Sequence, residues 1–199
     1  MNIALLGATE KFGIAFTAKL LTNPNYQLTL ISKNAESIFE DSHRVTAKSI
    51  NEANSNQLKK ALKDIDFVFC ALSGTDLPAI ALNIANIHPK RVILMTALGI
   101  YNELEEGCGA EFNISNEPQQ IPNLQASDII EESDLNYTIF RTGFFEYGDE
   151  DDYVITKKGE KAKGCCTTIE SVEKIALDII ENPNLYSCEN ISITKDMSQ

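Results

Sequence analysis

The sequence predicts an α/β protein, a single doubly wound domain with a mostly parallel sheet and helices on both faces. Two observations lead to this prediction. Short apolar runs that are typical of buried strands alternate with helical patterns along the whole chain. The first apolar run leads through a glycine-containing turn, GATEKFG, directly into a helix. Because no repeat or linker interrupts this alternation, we expect residues 1–199 to form one domain.

In the first third of the chain, apolar runs and amphipathic spacing define three strands and three helices. The Asn23-Pro24-Asn25 sequence ends the first helix. The third strand is more polar than the others, so we expect it nearer the edge of the sheet. Leu58, Ala61 and Leu62 share one face of the third helix. The predicted strands are residues 2–6, 27–31 and 44–48, and the predicted helices are 12–21, 35–39 and 55–63.

The remaining chain continues the alternation. Its first strand, at residues 66–72, is a continuous apolar run of the kind buried on both faces in parallel sheets. A similar run follows at 91–96, and Ser or Thr can cap the last helix. The predicted strands are residues 66–72, 91–96, 136–141 and 190–194, and the predicted helices are 77–87, 124–133 and 168–181.

Two segments, 97–122 and 142–163, lack clear periodicity. The first is too long for an ordinary connection, and the second is strongly acidic. Long loops at the carboxyl ends of central strands commonly carry substrate contacts in α/β proteins. We therefore expect the ligand at the strand-order switch beside the first strand.

The turn after the first strand has the features of a phosphate-binding site. Gly7 allows a tight turn, Gly13 allows the helix to lie close to the strand, and the helix N-terminus favours an anion. The central position of the G-x-x-G-x-x-G pattern, which is usually glycine, is Glu10, which adds bulk and negative charge. Thr9, Lys11 and Phe12 complete the turn as candidate contacts. A plain strand-to-helix turn without a ligand remains an alternative.

Composition limits the partners. The net charge of −12 argues against nucleic acid and anionic membranes, which require basic patches. Five scattered cysteines, including the vicinal pair Cys165 and Cys166, do not form a disulfide framework and suit a reducing cytosol. No signal peptide or membrane span is expected. His43 and His88 lack companion ligands, so no metal site is predicted.

Five segments in matching order resemble one family. They are GATEKFG, SKNA after the second strand, FCALSG, MTALGIY and LNYTIFRTG. Together they resemble the atypical short-chain dehydrogenase/reductases, in particular the NAD(P)H-binding group that includes NmrA-like proteins and biliverdin/flavin reductases. The resemblance covers nearly the whole chain and implies a Rossmann-like fold.

The cofactor is predicted from the end of the second strand. NAD sites place an acidic residue there, whereas NADP sites place a cation near the 2′-phosphate. Ser32 and Lys33 occupy these positions, which favours NADP(H) over NAD(H), unless Lys33 is simply a solvated loop residue. The resemblance implies that Ala71, Leu72 and Ser73 pass along the adenosine and pyrophosphate.

The usual catalytic relay of short-chain dehydrogenases is missing. Thr96 occupies the position of the family's serine, but the following helix has no Tyr-x-x-x-Lys. The only such sequence, Tyr153 to Lys157, lies in an extended-looking segment and is interpreted as coincidence. Tyr101 is a candidate acid or stacking residue, or else a loop aromatic that covers the core.

The family's Arg-Pro-Gly position is Arg141-Thr142-Gly143 in this chain. Arg141 is expected to brace loops, and Thr142 and Gly143 to line the nicotinamide pocket. Phe144, Phe145 and Tyr147 either wall a planar substrate or belong to the core.

Three functions are compatible with these features. The first is an NAD(P)H-dependent reductase of a small planar acceptor of flavin or quinone type, which can take its proton from solvent. The second is a non-catalytic NADP(H)-sensing or protein-interaction module. The third is a fold that has lost the nucleotide, for which Glu10 is the best support.

Overall fold

A computed structural model describes residues 1–196 of the chain. Its strands are β1 (Asn2–Leu6), β2 (Gln27–Ser32), β3 (Val45–Ser49), β4 (Phe67–Cys70), β5 (Arg91–Ala97), β6 (Tyr137–Thr142), β7 (Phe144–Glu146), β8 (Val154–Lys157), β9 (Cys166–Thr168) and β10 (Glu189–Thr194). Its α-helices are α1 (Lys11–Leu20), α2 (Ala35–Ile38), α3 (Ser55–Ala61), α4 (Leu77–Ile87), α5 (Ile121–Glu131) and α6 (Ile169–Glu181). Two short 3-10 helices, Ala110–Phe112 and Pro118–Gln120, interrupt the long loop before α5.

The main sheet has the strand order β3-β2-β1-β4-β5-β6-β10-β8. Neighbouring strands from β3 to β10 run parallel, and β8 pairs antiparallel with β10 at the edge. The chain order reverses between β1 and β4, which places the switch point beside the first strand. The predicted doubly wound, mostly parallel sheet is therefore confirmed.

Each face of the sheet carries its own apolar core. Along β1, Ile3 and Leu5 enter one core with residues of α1 and α6. Ala4 and Leu6 enter the other core with residues of α3, α4 and α5. This alternation explains why the buried strands are apolar throughout, since both faces are covered by helices. The predicted helices on both faces are confirmed.

Most predicted elements are present, but the segment after β6 differs from the prediction. Residues 142–163 were expected to be irregular, and this was wrong for β7 and for β8. The short strand β9 was also missed, and it pairs with β7 in a separate two-stranded sheet. Helix α5 starts three residues earlier than predicted because Pro122 is tolerated in a first helical turn.

Within residues 1–196, no helix is both long enough and apolar enough to cross a bilayer. The same residues contain no group of three or more His, Cys, Asp or Glu side chains arranged to hold a metal ion.

Candidate nucleotide-binding cleft

The N-terminus of α1 opens into a cleft at the carboxyl ends of β1 and β4. Gly7 has a φ of 80°, and its N–H and that of Ala8 donate to the carbonyl of Ile31, at 3.0 and 3.2 Å. These two bonds fix the turn against β2. The N–H groups of Lys11, Phe12 and Gly13 lie in the first helical turn and have no acceptor within the helix. The cleft therefore offers N–H donors and the positive end of the helix dipole to an anion.

Gly13 holds α1 close to this turn. A Cβ at this position would lie 2.2 Å from the carbonyl oxygen of Gly7 and 2.8 Å from Cα of Ala8. Such distances are far below van der Waals contact, so only glycine fits. The close approach of helix and strand expected from the sequence is present.

Two cavities meet at the α1 N-terminus, and we call them the inner and the outer cavity. They share Glu10, Leu72 and Ser73, and they have volumes of about 280 and 320 Å³. The inner cavity is lined by Glu10, Lys11, Phe12, Ala71, Leu72, Ser73, Met95, Thr96, Ala97, Asn123, Thr142, Gly143 and Phe145. The outer cavity is lined by Thr9, Glu10, Ser32, Lys33, Asn34, Asn51, Glu52, Leu72, Ser73, Asp76 and Ile80. With Gly7 and Gly13 in the turn itself, the predicted cofactor-binding residues are gathered around one continuous cleft.

Glu10 lies where the two cavities join. Its backbone is extended and it precedes α1, but its side chain does not cap the helix. In the described part of the chain, its carboxylate forms neither a hydrogen bond nor an ion pair, and the residue is exposed. The side chain is therefore free to turn toward solvent. Beside it, the ammonium of Lys11 lies 4.6 Å from the centroid of the Tyr147 ring.

The outer cavity has one cation among several acids. The Lys33 ammonium is exposed and lies 3.9 Å from a carboxylate oxygen of Asp76. Thr9 and Ser32 both donate from their hydroxyls to the side-chain oxygen of Asn34, at 3.1 and 3.3 Å, which fixes the turn after β2. The sequence prediction missed Glu52 and Asp76: Glu52 lies in a loop without a motif, and Asp76 lies just beyond the FCALSG segment.

Glu52 is the most deeply buried acid of this cavity, with 3% of its surface exposed. Burial is the main cause that raises the pKa of its carboxyl group, and the nearby Lys33 partly opposes this shift. Glu52 is thus a buried acid in the lining of the outer cavity, besides the exposed Glu10 and Asp76.

Glu52→Gln is expected to stabilise the protein at neutral pH. The folded-state pKa is above the unfolded one, so the native protein binds more protons between these two values and the wild type loses stability as the pH rises through them. Below both pKa values the two proteins should unfold alike. Urea unfolding at a series of pH values measures this, with exposed Glu36→Gln as the control. If the variant's gain in the free energy of unfolding over the wild type increased toward acidic pH, the prediction would be contradicted.

Two threonines at the ends of β5 and β6 line the inner cavity, but their hydroxyls are occupied. Thr96 donates to the carbonyl of Phe140 at 3.1 Å, and Thr142 donates to the carbonyl of Thr96 at 3.2 Å. The ionisable residues of this lining are Glu10 and Lys11, both at the α1 end. Near the β5 and β6 ends, none of the described residues in this lining has a titratable side chain that could deliver a proton.

The structure places Tyr101 away from this cleft. Its hydroxyl lies 2.8 Å from the hydroxyl of Ser127 on α5 and accepts a hydrogen bond from the Asn190 amide at 3.1 Å. The ammonium of Lys158 lies 4.4 Å from its ring centroid. Tyr101 is thus part of a polar network behind the loop, because the chain folds back onto α5 after β5. It is not brought together with Thr96.

Arg141 belongs to the same network and is fully buried. Its Nε donates to the Glu103 carboxylate at 2.9 Å, and its Nη1 donates to the side chain and backbone of Asn190. Glu103 in turn accepts the backbone N–H of Tyr101. This arrangement fixes the start of the 97–122 loop to β6 and β10. Tyr153 and Lys157 lie at the β8 edge of the sheet, outside the cleft lining.

A third cavity, of about 130 Å³, adjoins the inner cavity and is mostly apolar; we call it the apolar cavity. The two share Ala97, Thr142 and Gly143. Its remaining lining residues are Leu98, Leu104, Phe112, Gln120, Phe144 and Cys165. The rings of Phe112 and Phe144 meet edge to face, with centroids 4.8 Å apart, and Phe144 is 54% exposed. Phe145 instead stacks on Phe12, packs against the core and lines the inner cavity.

A doubly wound sheet with an anion-binding helix N-terminus at its switch point defines a dinucleotide-binding protein of Rossmann type. The family model for NAD(P)H-binding proteins matches residues 7–183, and the chain belongs to that family. The resemblance to NAD(P)H-binding atypical short-chain dehydrogenase/reductases is thereby confirmed. A search of the curated proteins finds no match.

Solved structures share the fold over nearly the whole chain. A short-chain dehydrogenase/reductase from Veillonella parvula in complex with NADP is 24% identical, with a TM-score of 0.86 over 98% of this chain and 95% of that one. A Rossmann-fold NAD(P)-binding family protein from Shigella flexneri is 27% identical, with a TM-score of 0.81 and coverages of 98% and 94%. ChuY, an anaerobillin reductase from Escherichia coli O157:H7, is 15% identical, with a TM-score of 0.80 and coverages of 99% and 98%.

Proposed function

We propose that the protein is an NADPH-dependent reductase of a small planar acceptor of the flavin or quinone type. The observation that carries this proposal is the apolar cavity, which opens into the inner cavity at Thr142 and Gly143. An acceptor ring in the apolar cavity, against the Phe112 and Phe144 rings, would lie beside a nicotinamide in the inner cavity. The solved ChuY structure supports a planar acceptor, since that protein is a reductase of an anaerobillin.

The residues of the cleft fit a dinucleotide in one orientation. The free N–H groups at the start of α1 would hold the diphosphate, and the absence of a side chain at Gly13 keeps them in reach of it. Ser32 and Lys33 in the outer cavity would hold the adenosine ribose and its 2′-phosphate. Thr142 and Gly143 would contact the nicotinamide half.

NADPH bound in this way would supply the hydride, and the residues of the cleft would position it beside the acceptor. The apolar walls of Leu98, Leu104 and Phe112 favour a flat, weakly polar ring. The acceptor's proton would come from solvent, because the β5 and β6 ends of the inner cavity carry no titratable side chain. Holding the two rings together is then the main contribution to the rate.

The test is consumption of NADPH by the purified protein with a panel of flavins and quinones. We expect turnover with at least one acceptor, and a larger apolar substitution at Ala97 should raise KM for that acceptor. NADPH that binds in a calorimeter but is not oxidised by any member of the panel would contradict the reductase.

The competing function is an NADP(H)-sensing module, and one observation favours it. Both threonine hydroxyls of the inner cavity are bonded to backbone carbonyls, and the Asn123 side-chain amide donates to Gln120, so among the described lining residues no titratable group near the β5 and β6 ends can deliver a proton. A sensor would bind NADPH without turnover. The acceptor panel therefore separates the two functions.

Lys33→Ala is expected to weaken NADPH binding about fivefold to tenfold. This is because the variant loses an exposed contact between a cation and a phosphate, which contributes about 1 kcal/mol. NADH binding should change little, since NADH lacks the 2′-phosphate. Isothermal titration calorimetry with both cofactors measures this preference. Lys63→Ala, which removes an exposed lysine elsewhere, serves as the control. Equal loss for both cofactors would show that Lys33 does not contact the 2′-phosphate.

Glu10→Gly is expected to tighten NADPH binding about tenfold, because a negative charge within a few ångströms of a diphosphate costs about 1 kcal/mol near the surface. Glu10→Gln removes the charge but keeps the size of the side chain. If the charge is the main obstacle to binding, this variant should show most of the affinity gain expected for Glu10→Gly. Calorimetry at low and high salt measures both variants. If neither variant changes the affinity, the Glu10 side chain turns away from the ligand. A protein that binds only as Glu10→Gly would have lost the nucleotide in its natural form.

A further inference from the structure

Three of the five cysteines lie together beside the apolar cavity. Cys108, Cys165 and Cys166 are all free thiols and are all partly exposed. Cys165 lies close enough to Cys108 and to Cys166 to affect the thiol of each. The other two cysteines are elsewhere: Cys70 is buried in β4, and Cys188 is exposed before β10. The sequence shows Cys165 and Cys166 as neighbours, but only the fold brings Cys108 to them.

The loop that carries Cys108 is built to approach Cys165. Gly107 and Gly109, on either side of Cys108, have φ values of 79° and 84°, which other residues rarely adopt. A Cβ at Gly109 would lie 3.2 Å from Cβ of Cys165. No neighbour lies within 4 Å of a Cβ at Gly107, so the loop has room to adjust.

Cys165 is also a wall of the apolar cavity, together with Phe112 and Phe144. Its backbone carbonyl accepts the N–H of Phe144 at 2.9 Å and leaves no space for a Cβ at Gly143. Any covalent change at this thiol therefore acts on the cavity and on the segment that joins it to the inner cavity.

We propose that Cys165 and Cys108 are a thiol–disulfide modification site, oxidised by a hydroperoxide and restored by a thiol reductant. In the first step the Cys165 thiolate attacks one peroxide oxygen, which yields a Cys165 sulfenic acid and releases the other oxygen as hydroxide, or as alkoxide from an organic peroxide. In the second step the Cys108 sulfur displaces this hydroxyl, which leaves as water, and the S–S bond forms. Two electrons pass in total from the two sulfurs to the peroxide.

The roles of the two thiols follow from their positions. Cys165 lines the apolar cavity, whereas Cys108 and Cys166 are not among its described lining residues. A peroxide that enters this cavity therefore meets the Cys165 sulfur first, and a neighbouring thiol is left to resolve the sulfenic acid. Burial is the main cause that raises the pKa of both Cys108 and Cys166.

Cys108 is the resolving partner rather than Cys166. Cys166 is held in β9, where its residue pairs with Phe144 and its carbonyl accepts the N–H of Lys195. A disulfide between adjacent residues closes a small ring that requires a distorted peptide, which a paired strand opposes. The glycine-flanked loop of Cys108 has no such restraint.

The disulfide would tie the 107–112 loop to the start of β9 across the apolar cavity. This consequence rests on the proposed function: acceptor reduction should be lost on oxidation, while NADPH binding at the α1 end is kept. Dithiothreitol should restore the activity. The covalent step itself can be measured without any acceptor.

The experiment is mild hydrogen peroxide treatment of the whole chain, alkylation of the remaining thiols and peptide mass mapping without reduction. We expect one linked pair of peptides that contain Cys108 and Cys165, with Cys166 and Cys188 alkylated. Cys166→Ser should still form the link. Cys108→Ser should instead leave a Cys165 sulfenic acid that dimedone traps, and Cys188→Ser is the matched control.

Three results would overturn the proposal: a Cys165–Cys166 link, a link between chains through Cys188, or free Cys108 and Cys165 after peroxide treatment. If the Cys108–Cys165 disulfide forms but the protein reduces no acceptor, the proposed modification site is supported and the proposed reductase function is contradicted. If acceptor reduction continues after the Cys108–Cys165 disulfide has formed completely, the proposed effect of the disulfide on the apolar cavity is contradicted.

Discussion

Arg141→Met is expected to lower the free energy of unfolding by about 3–5 kcal/mol, the usual cost of removing one partner from a buried ion pair. The Arg141 side chain has no exposed surface, and the Glu103 side chain is 4% exposed. Burial lowers the pKa of Arg141, and the nearby Glu103 carboxylate opposes this shift, so each charge depends on the other. Without the guanidinium, the Glu103 carboxylate is left buried with the backbone N–H of Tyr101 as a donor.

Urea unfolding followed by circular dichroism measures this loss, and a single cooperative transition is expected if residues 1–199 are one domain. The control is Lys158→Met, which breaks the more exposed ion pair with Glu131 and should cost less than about 1 kcal/mol. The double variant Arg141→Met with Glu103→Leu should recover much of the stability, because it removes both buried charges. An Arg141→Met protein as stable as the wild type would show that this ion pair does not brace the loop.

The parts of the fold that could be predicted are those that the local sequence determines. β4 is buried at every position, and its continuous apolar run is visible without knowledge of its neighbours. Helix α4 has the predicted bounds, because Pro78 is accepted in its first turn and His88 ends it with a left-handed backbone. The glycine turn at the α1 N-terminus was also predictable, since the strand, the turn and the helix are consecutive in sequence.

The parts that could not be predicted depend on contacts between distant segments. β7 and β9 have three residues each and form only because they pair with one another. β8 is an edge strand that depends on β10 for its hydrogen bonds. No local pattern marks such strands, because their stability comes from the partner.

The same reason explains the candidate site residues that sequence analysis misplaced or missed. Tyr101 is close to Thr96 in sequence, but its direction is set by Ser127 and Asn190 far along the chain. Glu52 enters the outer cavity from the loop after β3, without a motif to mark it. A glycine pattern marks the turn at the α1 N-terminus in the sequence, whereas the acids that line the cavity beside it become visible only when the loops are placed.

Gly13→Ala is the sharpest test of the diphosphate site, and it is expected to destabilise the protein by about 1–3 kcal/mol, the range for overpacking a tight contact. It should also weaken NADPH binding about tenfold or more, because α1 must move away from the Gly7 carbonyl and take its N–H groups with it. Alanine is intrinsically about 1 kcal/mol better than glycine inside a helix, so a net loss isolates the steric effect.

Gly159→Ala is the matched control for this variant. Gly159 has a φ of 92° but no atom within 4 Å of an added Cβ, so the substitution carries backbone strain without a clash. It should cost about 1–2 kcal/mol of stability and leave the NADPH affinity unchanged, since it lies in the turn after β8. Urea unfolding and calorimetry on both variants then separate general glycine strain from the loss of the helix–strand contact. A Gly13→Ala protein that is as stable as the wild type and binds NADPH as tightly would contradict the placement of the diphosphate at the α1 N-terminus, and with it both the reductase and the sensor.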